Sequence, residues 1–228
     1  MATTAVCNSF KAEILAGGHC FQSPQVVTGT ATSGSYTVTS VSAMANIAVG
    51  MTVSGTSIQT GSVVSATTAT TFTLSLPTTG TITAGTLNMS GDVFKIALII
   101  AAPTLSGGYG ANQTNYGTGT GTPTQANLGT DELASGSGYT TGGFTLTDVS
   151  AVSSGGVGYL SFSVNPSWSA ATFSASAGLL YNASSRLGGV TNRCVGIFDF
   201  GGVQSVSSGV FSLIIPSATS TTALIRIS

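Results

Sequence analysis

Charge is what this sequence has least of. Only 5% of its 228 residues are Asp, Glu, Lys or Arg, against about 25% in ordinary globular domains. The five basic residues are scattered and the formal net charge is -1. No basic stripe exists to meet phosphates, so no nucleic-acid partner is expected. The longest strongly apolar run, Ile96 to Ala102, is far short of the ~20 residues that a spanning helix needs, so no membrane partner is expected either. Lys11 and Glu13 interrupt the N-terminus and no apolar segment follows the first Met, so no secretory signal is read there. A chain with so few charges tends to associate when isolated, which favours work inside an assembly.

Titratable groups are scarce as a consequence. The one histidine is His19, and the acids are Glu13, Asp92, Asp131, Glu132, Asp148 and Asp199. A lone histidine just after a helix stop reads as a packed or capping residue before it reads as a base. Asp131-Glu132 could supply paired carboxylates or a calcium site, but the acidic spacing of an EF-hand loop is missing. There is no G-x-S-x-G elbow, and no Lys follows a Gly-rich loop as a P-loop requires. "DFG" at Asp199-Gly201 stands without the rest of the kinase set and reads as a strand end, with Gly201-Gly202 as the turn. Cys7, Cys20 and Cys194 are an odd set without close pairing, so no disulfide framework is implied and three small buried hydrophobes are expected. Cys7, His19 and Cys20 could surround a zinc ion, yet no C-x-x-C pair and no fourth ligand stand nearby. The N-x-S/T triplets at Asn88, Asn112 and Asn182 carry no meaning without a secretory route. No catalytic, cofactor-binding or metal-ligating residue is assigned, and no enzyme is expected.

What is present is β-pattern. From Thr28 to Leu87 there is no Asp, Glu, Lys or Arg. Within that block "TFTLSL" alternates, with Phe72, Leu74 and Leu76 on one face and Thr71, Thr73 and Ser75 on the other, the period of a half-buried strand. "GSYTVTSV", "MTVSG", "GSVVSATT" and "GTITAGTL" add similar runs rich in Thr, Val or Ile. Residues 5–16 place Cys7, Phe10 and Ile14 on one helical stripe, and Gly17-Gly18 makes a C-terminal stop. "DVFKIALIIAA" predicts an apolar strand with Phe94, Ile96, Leu98 and Ile100 on one face and Lys95 on the other. Residues 103–130 read as a mobile loop, because the stretch is too long and polar for an ordinary connection. Six further strands are expected at "YTTGGFTLTDV", "VGYLSFSV", "ATFSASAGLLYN", "CVGIFDF", "GVFSLII" and "TALIRIS". The expected fold is all-β, with a β-sandwich or jelly-roll-like host domain carrying one short N-terminal helix. The host takes residues 1–22 and 91–228, and an inserted uncharged β module takes 23–90.

"CNSFKAEILAGGHCF", "GDVFKIAL", "GSGYTTGGFTL", "LLYNAS", "GIFDFGG" and "TTALIRIS" together resemble a family of tailed-bacteriophage virion proteins. The likeness covers most of residues 6–22 and 91–228. "GSYTVTSV", "AVGMTVSGTSI" and "TTFTLSL" are similar to a separate Thr/Ser/Gly-rich β module that occurs within many phage and bacterial surface proteins. The resemblance implies a structural component of the virion, assembled in the host cytoplasm. A capsid decoration or cement protein leads, bound to the major capsid protein or other virion proteins as a homo-oligomer, with a trimer favoured. A tail, neck or fibre protein contacting host glycans is the alternative. Lys95 and Arg226 each interrupt an apolar strand, and two uses are open for them: charge that discourages edge pairing, or ion pairs with Asp92, Asp148 or Asp199 across a subunit contact.

Overall fold

The computed structural model of the chain describes residues 1–117, 121–147, 149–186 and 189–227. Strand β1 (Ala5–Val6) and helix α1 (Asn8–Leu15) open it. Strands β2 (Gln25–Ala31), β3 (Thr37–Val38), β4 (Thr52–Ser54), β5 (Val64–Thr67), β6 (Phe72–Leu74) and β7 (Ile82–Ser90) follow. Then come β8 (Phe94–Ile100), β9 (Phe144–Leu146), β10 (Val149–Ser154), β11 (Val157–Phe162), β12 (Ser167–Asn182), β13 (Arg193–Ser212) and β14 (Ile225–Ile227). Strands take 46% of the chain and helix 5%, in several antiparallel sheets, so the fold is all-β. It divides into two compact units. The first holds Met1–His19, Val93–Thr147 and the chain from Val152 onward; the second holds Cys20–Asp92 and a short piece ending at Ala151. That piece lies inside the range that sequence pattern gives wholly to the host.

The first unit is built on a five-stranded antiparallel sheet in the order β1-β13-β12-β8-β9. β8 sits inside it, and Phe94, Ile96, Ala97, Leu98 and Ile99 are all buried. Its apolar run therefore reflects cover on both faces, beyond the single buried face that alternation predicts. β12 and β13 form a long ribbon, paired from Asn182 with Arg193 out to Ser167 with Ser212. The expected turn at Gly201-Gly202 is absent. "CVGIFDF" and the first four residues of "GVFSLII" belong to one 20-residue strand, and the two glycines, at φ 74° and 141°, absorb extra residues in a register shift opposite Ala175/Ala177. Glycine's tolerance of positive φ serves a bulge as readily as a turn.

The helix is shorter than its pattern. Ala5 and Val6 pair with Ile197 and Gly196 of β13, and Cys7 is extended at the N-cap. At the other end Gly17 adopts φ 74°. Gly17 N–H donates to Ile14 O (3.1 Å) and Gly18 N–H to Glu13 O (2.7 Å), the paired bonds of a Schellman stop. Phe10 is buried, whereas Ile14 is half-buried.

The second unit packs two three-stranded sheets, β2-β7-β4 and β3-β6-β5, around Val27, Val38, Met51, Phe72, Leu87 and their neighbours. Phe72 and Leu74 point inward as alternation predicts, but Leu76 lies beyond the end of β6 and is 36% exposed. β2, which escaped the sequence pattern, pairs with β7 from Gln25–Met89 to Ala31–Ile82. A Cβ added at Gly29 would come within 2.6 Å of Val38 Cγ1, so the glycine permits a close approach inside this core. The unit's two ends are clipped together. Cys20 N–H donates to Asp92 Oδ2 (2.8 Å), and Asp92 N–H returns a bond to Cys20 O (2.9 Å). Ends held side by side suit an insertion. Replacing residues 23–90 by a short linker is therefore expected to leave a first unit that unfolds in one cooperative calorimetric transition. Loss of that transition would assign the block to the host core.

Candidate functional site

Two polar networks organise the first unit, and both centre on carboxylates. A 3-10 turn, Gly129–Asp131, delivers adjacent acids to different surroundings. Asp131 is fully buried. Its oxygens accept from Thr104 N–H (2.8 and 2.9 Å), Thr104 Oγ1 (2.9 Å), Leu105 N–H (2.9 Å) and the Tyr109 hydroxyl (2.9 Å). Glu132 Oε1 accepts from Tyr139 OH (2.9 Å) and Gly142 N–H (2.6 Å), and Oε2 from Tyr116 OH (2.6 Å). Tyr116 stacks on Tyr181 at 4.3 Å with 8° between the rings, and Tyr181 OH donates to Gly142 O (2.7 Å).

These bonds overturn the reading of residues 103–130 as a mobile loop. Over its described residues the stretch is tied at many points. Thr3 N–H donates to Tyr109 O (2.8 Å), Cys194 N–H to Thr114 O (3.1 Å), Tyr116 N–H to Asn192 O (2.8 Å) and Leu128 N–H to Tyr116 O (3.0 Å). The carboxylates meet N–H and O–H donors, the arrangement that holds an anion and leaves no coordination shell for calcium. Beside Glu132 an open cleft of about 340 Å³ is lined by Thr130, Leu133, Ser135 and Thr141 among others. Replacing Asp131 with Ala would leave the Thr104, Leu105 and Tyr109 donors without their acceptor. The expected cost is about 3 kcal/mol or more, read by urea unfolding, with new protease cleavage between 104 and 130. An unchanged midpoint would show that the loop is held elsewhere.

The same network sets an alkaline limit. Burial, and next the bond and charge of the neighbouring acid, push the hydroxyl pKa of Tyr109 (by Asp131) and Tyr116 (by Glu132) far above the ordinary 10. Burial and then the charge of Glu132 do the same for Tyr139 and Tyr181. A raised folded-state pKa means that the folded chain keeps protons the unfolded chain has released. The stabilisation is therefore complete below pH 10 and declines as pH rises above it. These four tyrosines are expected to ionise together with unfolding when phenolate absorbance and circular dichroism are followed through an alkaline titration. Phenolate signal from them ahead of unfolding would contradict the network.

The second network anchors α1 to the sheet. His19, whose side chain is fully buried, shares a 3.0 Å bond with Glu13 through Nε2. Its Nδ1 lies 3.0 Å from Asn182 Nδ2. Asn182 Oδ1 is already accepting from Ser184 N–H (2.9 Å), which fixes the amide with its NH₂ toward the ring. Nδ1 is then the acceptor, and His19 is held as the Nε2–H tautomer donating to Glu13. Arg193 Nη1 donates to the other Glu13 oxygen (2.9 Å). Phe10 meets the ring edge-on at 4.9 Å and Phe94 lies at 6.4 Å. With both nitrogens occupied, the imidazole serves as a bracket between helix and sheet.

The zinc arrangement does not assemble. Cys7 hydrogen-bonds the Cys194 side chain, whose thiol pKa is raised by burial first and then by Cys7. All three cysteines are buried and unbridged. Among the described residues no group of three His, Cys, Asp or Glu side chains could hold a metal ion, and no helix is long and apolar enough to cross a membrane. Asp199 caps Gly201 N–H (3.2 Å). Lys95 Nζ lies 3.8 Å from where a Cβ on Gly142 would stand, which turns it toward the tyrosines. Arg226 pairs with Tyr159 in the β11–β14 ladder and donates to the carbonyls of Ser220 (3.4 Å) and Thr221 (2.5 Å), stapling the preceding turn. Asp148 lies outside the described residues. Of the triplets, Asn112 is exposed, whereas Asn182 is buried in the histidine bracket. Sequence reading missed the tyrosine partners, although Tyr109 and Tyr116 are the only aromatics in residues 103–130, a sign of packing in an otherwise small-residue stretch. Comparisons with protein-family models, curated proteins and solved structures give no match.

Proposed function

We propose that the chain is a structural component of a bacteriophage virion, a capsid decoration or cement protein bound to the outside of the major capsid shell and acting without catalysis. One observation supports this reading above the others. The segments that resemble phage virion proteins build the framework of the first unit. "CNSFKAEILAGGHCF" supplies α1, its stop, Glu13 and His19, and "LLYNAS" supplies Tyr181 and Asn182. "GSGYTTGGFTL" supplies Tyr139 and Gly142, and "GDVFKIAL" the buried run of β8. The residues carrying the resemblance thus hold strands and loops in place, the task of a coat component. The low charge fits the same role, because neighbouring copies packed at high density repel one another little.

A map of the particle tests this. The expected result is density for the chain on the outer capsid lattice, in a copy number set by the shell's symmetry and on the order of hundreds. Density confined to tail, neck or fibre, at a few dozen copies or fewer, would favour the glycan-contacting alternative, and absence from the particle would overturn both.

A further inference from the structure

The outer half of the β12–β13 ribbon carries an interaction surface. Beyond Asp199, β13 has a strand partner only on its β12 side among the described residues. The opposite side of the ribbon is guarded. Thr172 of β12 donates its N–H to Ser137 O (3.0 Å), and Gly138 is so close to the Ser169–Ala171 backbone that an added Cβ would stand 2.7 Å from Ser169 O. The β13 edge therefore runs bare from Gly202 to Ser212, about 36 Å at ~3.3 Å per residue. Long edges are ordinarily blunted by Lys, Pro or brevity. Here no charged residue lies between Asp199 and Arg226, and no Pro lies between Asp199 and Pro216.

The register adds a face to this edge. Phe173 pairs with Val206 but Ala171 with Gly209, so β13 gains one residue between them. Ser208, at φ 49°, lies in that bulge and donates its N–H to Thr172 Oγ1 (2.9 Å). The extra residue reverses the alternation, so Val203, Ser205, Val210 and Ser212 share one face while Val206 and Phe211 share the other. On the second face Val206 is half-buried and Phe211 is buried among aromatics, 5.1 Å from Phe173 and 6.0 Å from Trp168. The first is open, with Val203 53% and Val210 64% exposed. Ser205 meets Ser174 at 2.7 Å and Ser212 meets Ser167 at 3.1 Å across the ribbon.

We propose that a second copy of this chain pairs with the free β13 edge, antiparallel, continuing the five-stranded sheet into the partner. The segment suits itself as partner. Two-fold pairing sets every residue against its own strand, and an uncharged strand brings no like-charge repulsion to that symmetry. Main-chain bonds supply affinity, as in other strand additions, and the two exposed valines are covered in the process. The inference goes beyond the virion role and does not depend on it, because it is read on the purified chain.

Sedimentation velocity over a range of concentrations, with amide hydrogen exchange on the same samples, tests the pairing. A concentration-dependent dimer is expected, in which alternate amides from Gly202 to Ser212 exchange at least tenfold more slowly than in the dilute monomer. The Val203→Lys/Val210→Lys double variant should weaken dimerisation at least tenfold with an unchanged melting temperature. Val49→Lys, at another exposed valine, should leave dimerisation as it is and so controls for added charge. A chain that stays monomeric at all concentrations overturns the proposal. So does a three-fold oligomer, or any oligomer in which the 202–212 amides exchange as fast as in the monomer. Protection of those amides only within an intact particle would assign the edge to a different partner and overturn it as well.

Discussion

A carboxylate buried among its own chain's donors is the interaction on which the rest of this protein depends. Asp131 gathers Thr104, Leu105 and Tyr109, and Glu132 gathers Tyr116, Tyr139 and Gly142. Glu13 holds His19 and Arg193, and Asp92 closes the second unit on Cys20. In most domains acids face water and keep the molecule soluble. Here Glu13, Asp92, Asp131 and Glu132 are engaged by the chain's own donors, where a charge-assisted bond is about twice as strong as a neutral one. A long Gly/Thr/Asn-rich stretch has little apolar surface with which to order itself. It becomes structure because two adjacent anions give its amides and tyrosine hydroxyls something to converge on.

That placement explains what could and could not be read from the sequence. Period-two alternation located β6 through Phe72 and Leu74 and β8 through Phe94, Ile96 and Leu98, because each buries a face that shows in the residues themselves. Gly17-Gly18 located the end of α1 for an equally local reason. The failures are non-local. Nothing near Asp131 announces that its donors lie some 22 to 27 positions earlier, so 103–130 read as mobile. Gly201-Gly202 carries the same signature in a bulge as in a turn, and only pairing with β12 decides between them. β2 escaped because its exposed side chains are Thr and Val, a face without polar contrast. His19 was legible as a packed residue, yet its partners Glu13 and Asn182 were not, since one comes from the helix and the other from a strand 163 positions away.

The exposed surface follows from the same scarcity. With so few charges on the chain, hydroxyls cover the strands, as at Thr28 opposite Thr86 in β2–β7 and Ser174 opposite Ser205 in β12–β13. Such a surface is hydrated but has little long-range field, so contacts with neighbours are governed by shape and by unpaired backbone at short range.

The Cys20–Asp92 clip has a consequence for how such a chain can change over generations. Because Cys20 and Asp92 exchange reciprocal hydrogen bonds, the long segment of the second unit begins and ends at two neighbouring backbone positions. Whatever lies between them can lengthen, shorten or be exchanged for an unrelated module whose termini meet at the same spacing. The clip is in effect a socket, and natural variation among such chains should be concentrated on the far side of it.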